Sequence, residues 1–329
     1  MSDPARLEPD MPPNGLLAED RQGLLPREGI VGTGAPTPGD NGPGMVVVTP
    51  SWARDLELFG DLHESVLRYF PKSVRHVVVT AERDQAAFRR FEGPRCELLC
   101  AGDILPRHVK AVPRTWARVN LRRPAPPLRG WIVQQLVKLA IAEQLEEKVI
   151  VLADSDVVFI RPVTISTFAP HGQVRLFRKD GGVSDEMARH VRWHAVARGL
   201  LGLPPLPPPP LPDYITSPNT WDRDLVVAAL RRIEYVTGRP WVTAVGRNVY
   251  FSECILYGVF ADEIAQSKAS AISDDPLCHY YWDTVPLTPE AGVQWLGSIK
   301  PADVAVMIHS KSNTPMSVRR AMLAEIIAS

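Results

Sequence analysis

Read for its apolar and polar positions, the chain changes character at Met45. Residues 1–44 hold Pro, Gly, Asp and Glu with scattered leucines and no sustained period, as in Gly39-Asp40-Asn41-Gly42-Pro43-Gly44. Such a segment buries too little apolar surface to offset its ordering entropy, and the pattern predicts a disordered tail. From Met45 onward, short β-rich runs alternate with amphipathic stretches. Met45-Val46-Val47-Val48-Thr49 reads as a buried strand. Leu56, Phe59, Leu62, Val66, Leu67 and Phe70 then recur at helical spacing until Pro71 stops them. Strands are expected over Val74–Thr80 and Arg95–Cys100, with a short helix over Asp84–Phe91 between them. A helix over Trp131–Glu146 leads into a fully buried strand over Lys148–Ala153. Strands and helices interleaved in this way predict an α/β fold of Rossmann type, a mostly parallel sheet flanked by helices.

After Asp156 the rhythm loosens. A strand is expected over Gln173–Arg178 and a helix over Ser184–Leu201. Leu203–Pro212 is almost pure proline and reads as a stiff connector. Helices over Asp222–Val236 and Ser252–Ala265 carry Asp222 and Ser252 at their N-cap positions. A strand over Val304–Ile308 and a helix over Ser317–Ile327 complete the pattern.

Composition narrows the function classes. An apolar fraction of 45% excludes a wholly disordered protein, and a formal net charge of zero argues against electrostatic nucleic-acid binding. Four cysteines without a CxxC fit a reducing, cytoplasmic compartment. No apolar run nears the roughly 18 residues of a spanning helix, and the N-terminus lacks the apolar core of a signal peptide. Neither a transmembrane segment nor a secretory signal is expected.

The sharpest chemistry is Val149-Ile150-Val151-Leu152-Ala153-Asp154-Ser155-Asp156. In an extended chain residues two apart share a face, so Asp154 and Asp156 can converge on one point. Two carboxylates at the carboxyl end of a buried strand repel unless a cation lies between them. Their hard oxygens suit Mg²⁺ or Mn²⁺. In open α/β sheets this is also the end at which ligands bind. No Gly-rich phosphate loop is present.

A hydrophobic strand entering Asp-x-Asp, preceded by a helix rich in Gln and Lys, resembles the nucleotide-sugar glycosyltransferases of the GT-A fold. A longer set resembles a poorly characterised bacterial GT-A-like family: Ser51-Trp52-Ala53-Arg54-Asp55-Leu56, Gly130 to Leu139, the Asp154 motif, and Phe251 to Gly258. The resemblance implies a single GT-A-like domain over 45–329. Within it, 45–160 would be the nucleotide-binding half and 161–329 the acceptor-binding half. It also implies a metal-dependent glycosyltransferase with a nucleotide-sugar donor, a UDP-sugar by preference. The acceptor would be a saccharide, lipid-linked or small molecule.

On that reading Asp154, Asp156 and a C-terminal histidine hold Mn²⁺ or Mg²⁺. His309, in Ile308-His309-Ser310-Lys311-Ser312-Asn313-Thr314-Pro315, resembles the family's His-x-x-Gly-x-x-Lys-Pro pattern, while departing from it at Ser312 and in the place of Lys311. His279 competes for the same role. Thr49, Ser51, Asp84, Gln135 and Lys311 are candidates for the nucleotide. Gln134, Lys138 and Glu253 are candidates for catalysis, Glu253 as a general base or a sugar-hydroxyl partner. Trp221 and Trp282 could act as sugar platforms. Two alternatives stand beside this reading: a nucleotidyltransferase, and a non-catalytic binding module on a degenerate GT-A scaffold.

Overall fold

The structure, a computed structural model, describes residues 44–112, 118–121, 128, 130–266 and 270–328. All but the last residue of the expected tail lies outside them. The elements that place the site are, in chain order, β1 (Met45–Pro50), α1 (Leu56–Tyr69), β2 (Arg75–Thr80), β3 (Cys96–Cys100), α2 (Gly130–Ile141), β4 (Val149–Leu152), β5 (Val157–Phe159), α3 (Ala188–Leu201), β6 (Asn219–Asp222), α4 (Arg223–Thr237), α5 (Glu253–Val259), β7 (Cys278–Tyr281), β8 (Ala305–Ile308) and α6 (Met316–Ala328).

Strand β1 is the axis of the main sheet. It pairs in parallel with β2 on one side and β4 on the other. Strand β3 extends the parallel run, and β6 closes the opposite edge antiparallel to β4, giving the order β6-β4-β1-β2-β3. The pleat sends alternate residues to opposite faces. Val46, Val48, Ile150 and Leu152 pack with Leu136, Leu139, Ile255 and Leu256 on one face. Met45, Val47, Val149 and Val151 pack with Leu62, Val66, Phe70 and Phe159 on the other. A strand covered on both faces needs continuous apolar residues, which is why β1 and β4 read as valine-rich runs. The expected α/β class, a mostly parallel sheet flanked by helices, is present.

A second sheet of three strands, in the order β7-β8-β5, holds β8 parallel to β7 and antiparallel to β5. The chain passes from β4 in the first sheet to β5 in the second within four residues, Ala153–Asp156. The Asp-Ser-Asp turn is therefore the seam between the two sheets.

Some expectations need correcting. Strand β6, Asn219-Thr220-Trp221-Asp222, was not visible in the apolar pattern because it is almost entirely polar, yet all four residues are buried. Trp221 is fully buried in the core, stacked on Tyr257, so it is no sugar platform. The helix expected from Ser184 starts at Ala188, and the one expected over Ser252–Ala265 is α-helical only to Val259 before a π-helical turn over Phe260–Ile264. Asp222 and Ser252 do cap their helices, accepting from the backbone N–H of Asp224 and Leu225 and of Ile255. Beside the Pro-rich connector, His194 is buried with Nε2 at 2.9 Å from the Pro212 carbonyl.

One polar chain runs through the core beside β1. Thr49 Oγ1 lies 2.9 Å from His76 Nε2, and His76 Nδ1 lies 3.0 Å from His63 Nδ1, with Phe59 packed against both rings. Burial holds both imidazoles below their ordinary value, His76 well below. The unfolded chain takes up protons near pH 6.5, whereas the folded chain takes them up only at lower pH. Stability from this pair is therefore complete above about pH 6.5 and is lost as the pH falls below it. Urea unfolding at pH 7.5 and 5.5 should show a loss of order 1–2 kcal/mol. That loss should shrink in a His63→Phe variant; an unchanged loss there would assign it elsewhere.

Candidate functional site

The Asp154-Ser155-Asp156 turn opens into a cleft of about 880 Å³ above the carboxyl ends of β4, β1 and β2. Pro50 and Ser51 at the end of β1 line it, as do Val79 and Ala81–Arg83 at the end of β2. Ser155 is buried, and its Oγ lies 2.8 Å from Ser51 Oγ, which ties the turn to the end of β1. The extended geometry before the turn and the change of sheet after it bring both carboxylates to the same cavity.

Beneath Asp154 lies a buried cation. Lys138 on α2 places Nζ 3.0 Å from Asp154 Oδ1 and 3.2 Å from Glu253 Oε1. Burial alone would push this ammonium toward neutrality, but the two carboxylates outweigh it and raise its pKa. Glu253 sits in the first turn of α5, and its backbone N–H donates to Gln135 Oε1 at 3.0 Å. Lys138, Glu253 and Gln135 thus form a layer under the cleft, and none of them lines it.

Asp156 is held from behind. The Ser310 backbone N–H donates to its Oδ2 at 2.7 Å. Burial and the neighbouring Asp154 nevertheless raise its pKa to about 6, against the lowering effect of that N–H and of Arg319. Arg319 on α6 organises the loop after β8. It donates to the carbonyls of Ile308 at 2.6 Å, His309 at 2.9 Å and Thr314 at 3.1 Å. The loop in turn presents His309, Ser310 and Lys311 to the cleft.

The candidates separate by place. Asp154, Asp156, Ser51, Gln134, His309 and Lys311 line the cleft. Thr49 is buried in β1 against His76. Asp84 is buried too; it accepts from the Ala53 backbone N–H, and burial raises its pKa. His279 lies within hydrogen-bond distance of the Trp295 carbonyl and Ser298 Oγ and is absent from the cleft wall. Trp282 is half exposed on the wall, its ring 5.6 Å from that of His309.

Asp55, Glu82, Arg118 and Trp131 also line the cleft, Glu82 from the end of the second strand, over which the sequence places the nucleotide. Asp55 accepts from the Trp52 indole N–H, and burial and Asp154 raise its pKa. Its signal was the Ser51–Leu56 motif, quoted without a role for that carboxylate. Arg118 had no signal, since only the chain's path brings it to Glu82.

The donor set suits a hard divalent ion. Lys138 engages one oxygen of Asp154, and Ser310 engages one of Asp156. His309 Nδ1 is buried without a hydrogen-bond partner. Among the described residues no three His, Cys, Asp or Glu side chains converge as a closed metal cage. An ion held here would complete its shell with phosphate oxygens and water, as Mg²⁺ and Mn²⁺ commonly do.

A family model described as "Family of unknown function (DUF6492)" matches residues 48–293. None of the curated proteins compared with the chain matches it. Several solved structures are similar. A galactosyltransferase, LgtC, crystallised with donor and acceptor sugar analogues, is 11% identical with a TM-score of 0.42, over 86% of this chain and 95% of that one. The bifunctional glycosyltransferase WbbM is 13% identical with a TM-score of 0.44, over 90% of this chain and 51% of its own length. Mouse xyloside xylosyltransferase 1 is 14% identical with a TM-score of 0.41, over 84% of this chain and all of the other. His309, Lys311 and Arg319 lie beyond the span matched by the family model.

The buried Lys138 gives the first test of the site's energetics. Lys138→Met leaves Glu253 and Asp154 without their counter-charge, and urea unfolding should show a loss of about 3–5 kcal/mol. Glu253→Gln added to that variant should recover part of the loss. A single variant as stable as the parent would remove Lys138 from the role of counter-charge.

Proposed function

The chain belongs to the DUF6492 family, and we propose that this member is a glycosyltransferase that uses a divalent metal ion to move a sugar from a nucleoside-diphosphate sugar to an acceptor hydroxyl. The observation that carries the reading is the pair Asp154 and Asp156 at the strand-end seam, in one cleft with His309, whose buried Nδ1 has no hydrogen-bond partner. Paired carboxylates at the carboxyl end of a parallel strand suit a cation-bridged diphosphate, and the cleft has room for a nucleotide with a sugar attached.

In this reading the carboxylates of Asp154 and Asp156 would hold Mn²⁺ or Mg²⁺, and His309, on the same cleft wall, is the candidate third ligand. When bound, the ion neutralises charge on the leaving diphosphate. Lys311 sits on the wall where phosphate oxygens would lie. Ser51 belongs to the nucleotide side, and Gln134, whose Nε2 lies 3.4 Å from the Pro50 carbonyl, faces the donor across the cleft. Lys138 and Glu253 act through Asp154 rather than on the sugar: they fix its orientation and offset its charge. Half-exposed Trp131 and Trp282 give the wall two apolar rings against which an acceptor can stack. A saccharide, lipid-linked or small-molecule acceptor fits such a wall. No described helix is long and apolar enough to cross a membrane.

The test is a thermal melt of the full chain with a panel of nucleoside diphosphates, with and without Mn²⁺. A ligand at a hundred times its Kd stabilises by about 2.7 kcal/mol, readily visible in a melt. The stabilisation should require Mn²⁺ and nucleotide together. Asp156→Asn removes one of two repelling charges while keeping the side chain's shape. It should melt no lower than the parent without metal and lose the joint stabilisation. A variant that kept the parent's gain would rule out the metal role of Asp156, and absence of nucleotide binding at millimolar concentration would favour a non-catalytic module.

A further inference from the structure

From the cleft wall outward, three elements meet in a shelf of aromatic rings without a role so far. Trp131, in the first turn of α2, lines the cleft and is 49% exposed. Its indole packs on that of Trp193 from α3, with ring centroids 5.7 Å apart. His190, one turn earlier on α3, stands edge-on to Trp193 at 4.6 Å. Tyr250, shortly before α5, is 42% exposed, and the guanidinium of Arg192 on α3 lies 3.9 Å from its ring centroid. Val249 beside it is 61% exposed. His190, Arg192, Val249 and Tyr250 all lie outside the cleft wall itself.

The rings are fixed by the fold. Helix α3 holds Trp131 through Trp193 and Tyr250 through Arg192. The Glu253 backbone N–H, three residues after Tyr250, donates to Gln135, one turn along α2 from Trp131. The indole N–H of Trp193 is buried without a hydrogen-bond partner. A smaller apolar residue would avoid the cost of that unmade bond; what the indole supplies is a broad flat backing for Trp131. Rings held in this way lose little freedom when a ligand lies across them. Exposed apolar groups gathered beside a cleft also mark a binding surface.

Resting on the glycosyltransferase reading, we propose that the acceptor is an oligosaccharide or polysaccharide chain, whose end enters the cleft while the sugars behind it lie along Trp131 and Tyr250. A pyranose ring has an apolar face of C–H bonds and a rim of hydroxyls. Its face is covered by stacking on a half-exposed indole or phenol, and its rim then needs polar partners at the edges of those rings. Arg192 offers guanidinium donors beside Tyr250, and His190 offers an imidazole beside Trp193. A monosaccharide or other small acceptor would occupy the cleft alone and leave the shelf bare. A lipid tail would cover the apolar faces and make no use of the two polar side chains.

The experiment titrates the full chain with cello-, malto- and chito-oligosaccharides of one to six sugars, with and without Mn²⁺ plus UDP, and reads indole fluorescence. In at least one series the hexasaccharide should bind at least about tenfold tighter than the monosaccharide. Tyr250→Ala should remove most of that gain, while any melting gain from Mn²⁺ with a nucleoside diphosphate stays that of the parent. Trp131→Ala should also shorten the length dependence, and Trp131→Phe, which keeps a ring, should restore part of it. No length dependence in any series, or one that survives both alanine variants, would overturn the proposal. Should Trp131→Ala fail to fold, Tyr250→Ala decides, since its ring stands partly in solvent. Joint stabilisation by Mn²⁺ and nucleotide without any length dependence would overturn this inference alone. Length dependence without stabilisation by Mn²⁺ and any nucleoside diphosphate would overturn the transferase reading, and the acceptor role with it.

Discussion

Like charges gathered at the end of a buried strand impose the constraint around which this molecule is arranged. Asp55, Asp154 and Asp156 open on one cleft, and Asp154 makes ionisation of each of the other two harder. Each carboxylate carries its own compensation: the Trp52 indole N–H for Asp55, the buried Lys138 for Asp154, and the Ser310 N–H with nearby Arg319 for Asp156. These come from the loop after β1, from α2, and from the β8–α6 loop. Three separate parts of the chain are thus recruited to make one acidic turn tolerable. Glu253 belongs to the same accounting, since a lysine buried between two carboxylates is better balanced than one facing a single partner.

The sheets explain why this turn falls where it does. With β1 covered on both faces and bordered by β2 and β4, it is at the ends of three parallel strands that polar side chains reach the open cleft. The crossing to the second sheet then fixes Asp156 against β8, so the cavity has a wall from each sheet. Ser51 and Ser155 bridge the two strand ends, and the polar line from Thr49 through His76 to His63 runs back from the same end of β1 into the core.

The main sheet was legible in the sequence because its inner strands are buried on both faces, and such strands announce themselves as unbroken runs of valine and isoleucine. Strand β6 was not. Polar side chains in it are satisfied by nearby backbone: the Asn219 side chain donates to the Tyr214 carbonyl, and Asp222 serves as a helix cap. The acidic turn was legible for the same reason as the strand before it, since carboxylates after an apolar run stand out. Lys138 and Glu253 were expected as catalytic residues; spacing on a helix could not reveal that each would spend its charge on the other. Arg118 was beyond reach, being 36 residues from its partner Glu82 and joined to it only by the path of the chain.

The guanidinium of Arg319 has a consequence for the order in which the molecule can come into being. During synthesis the N-terminal strands emerge first, and β1, β2, β3 and β4 can pair as soon as Leu152 is clear of the ribosome. The loop that brings His309 and the Ser310 amide to the cleft is fastened by a residue ten positions after His309. A nascent polypeptide can therefore own its parallel strands while the cleft at their ends still lacks one wall. The cleft is complete only once Arg319 has followed the strands, so a growing chain cannot close it around a ligand before the β8–α6 loop is fastened.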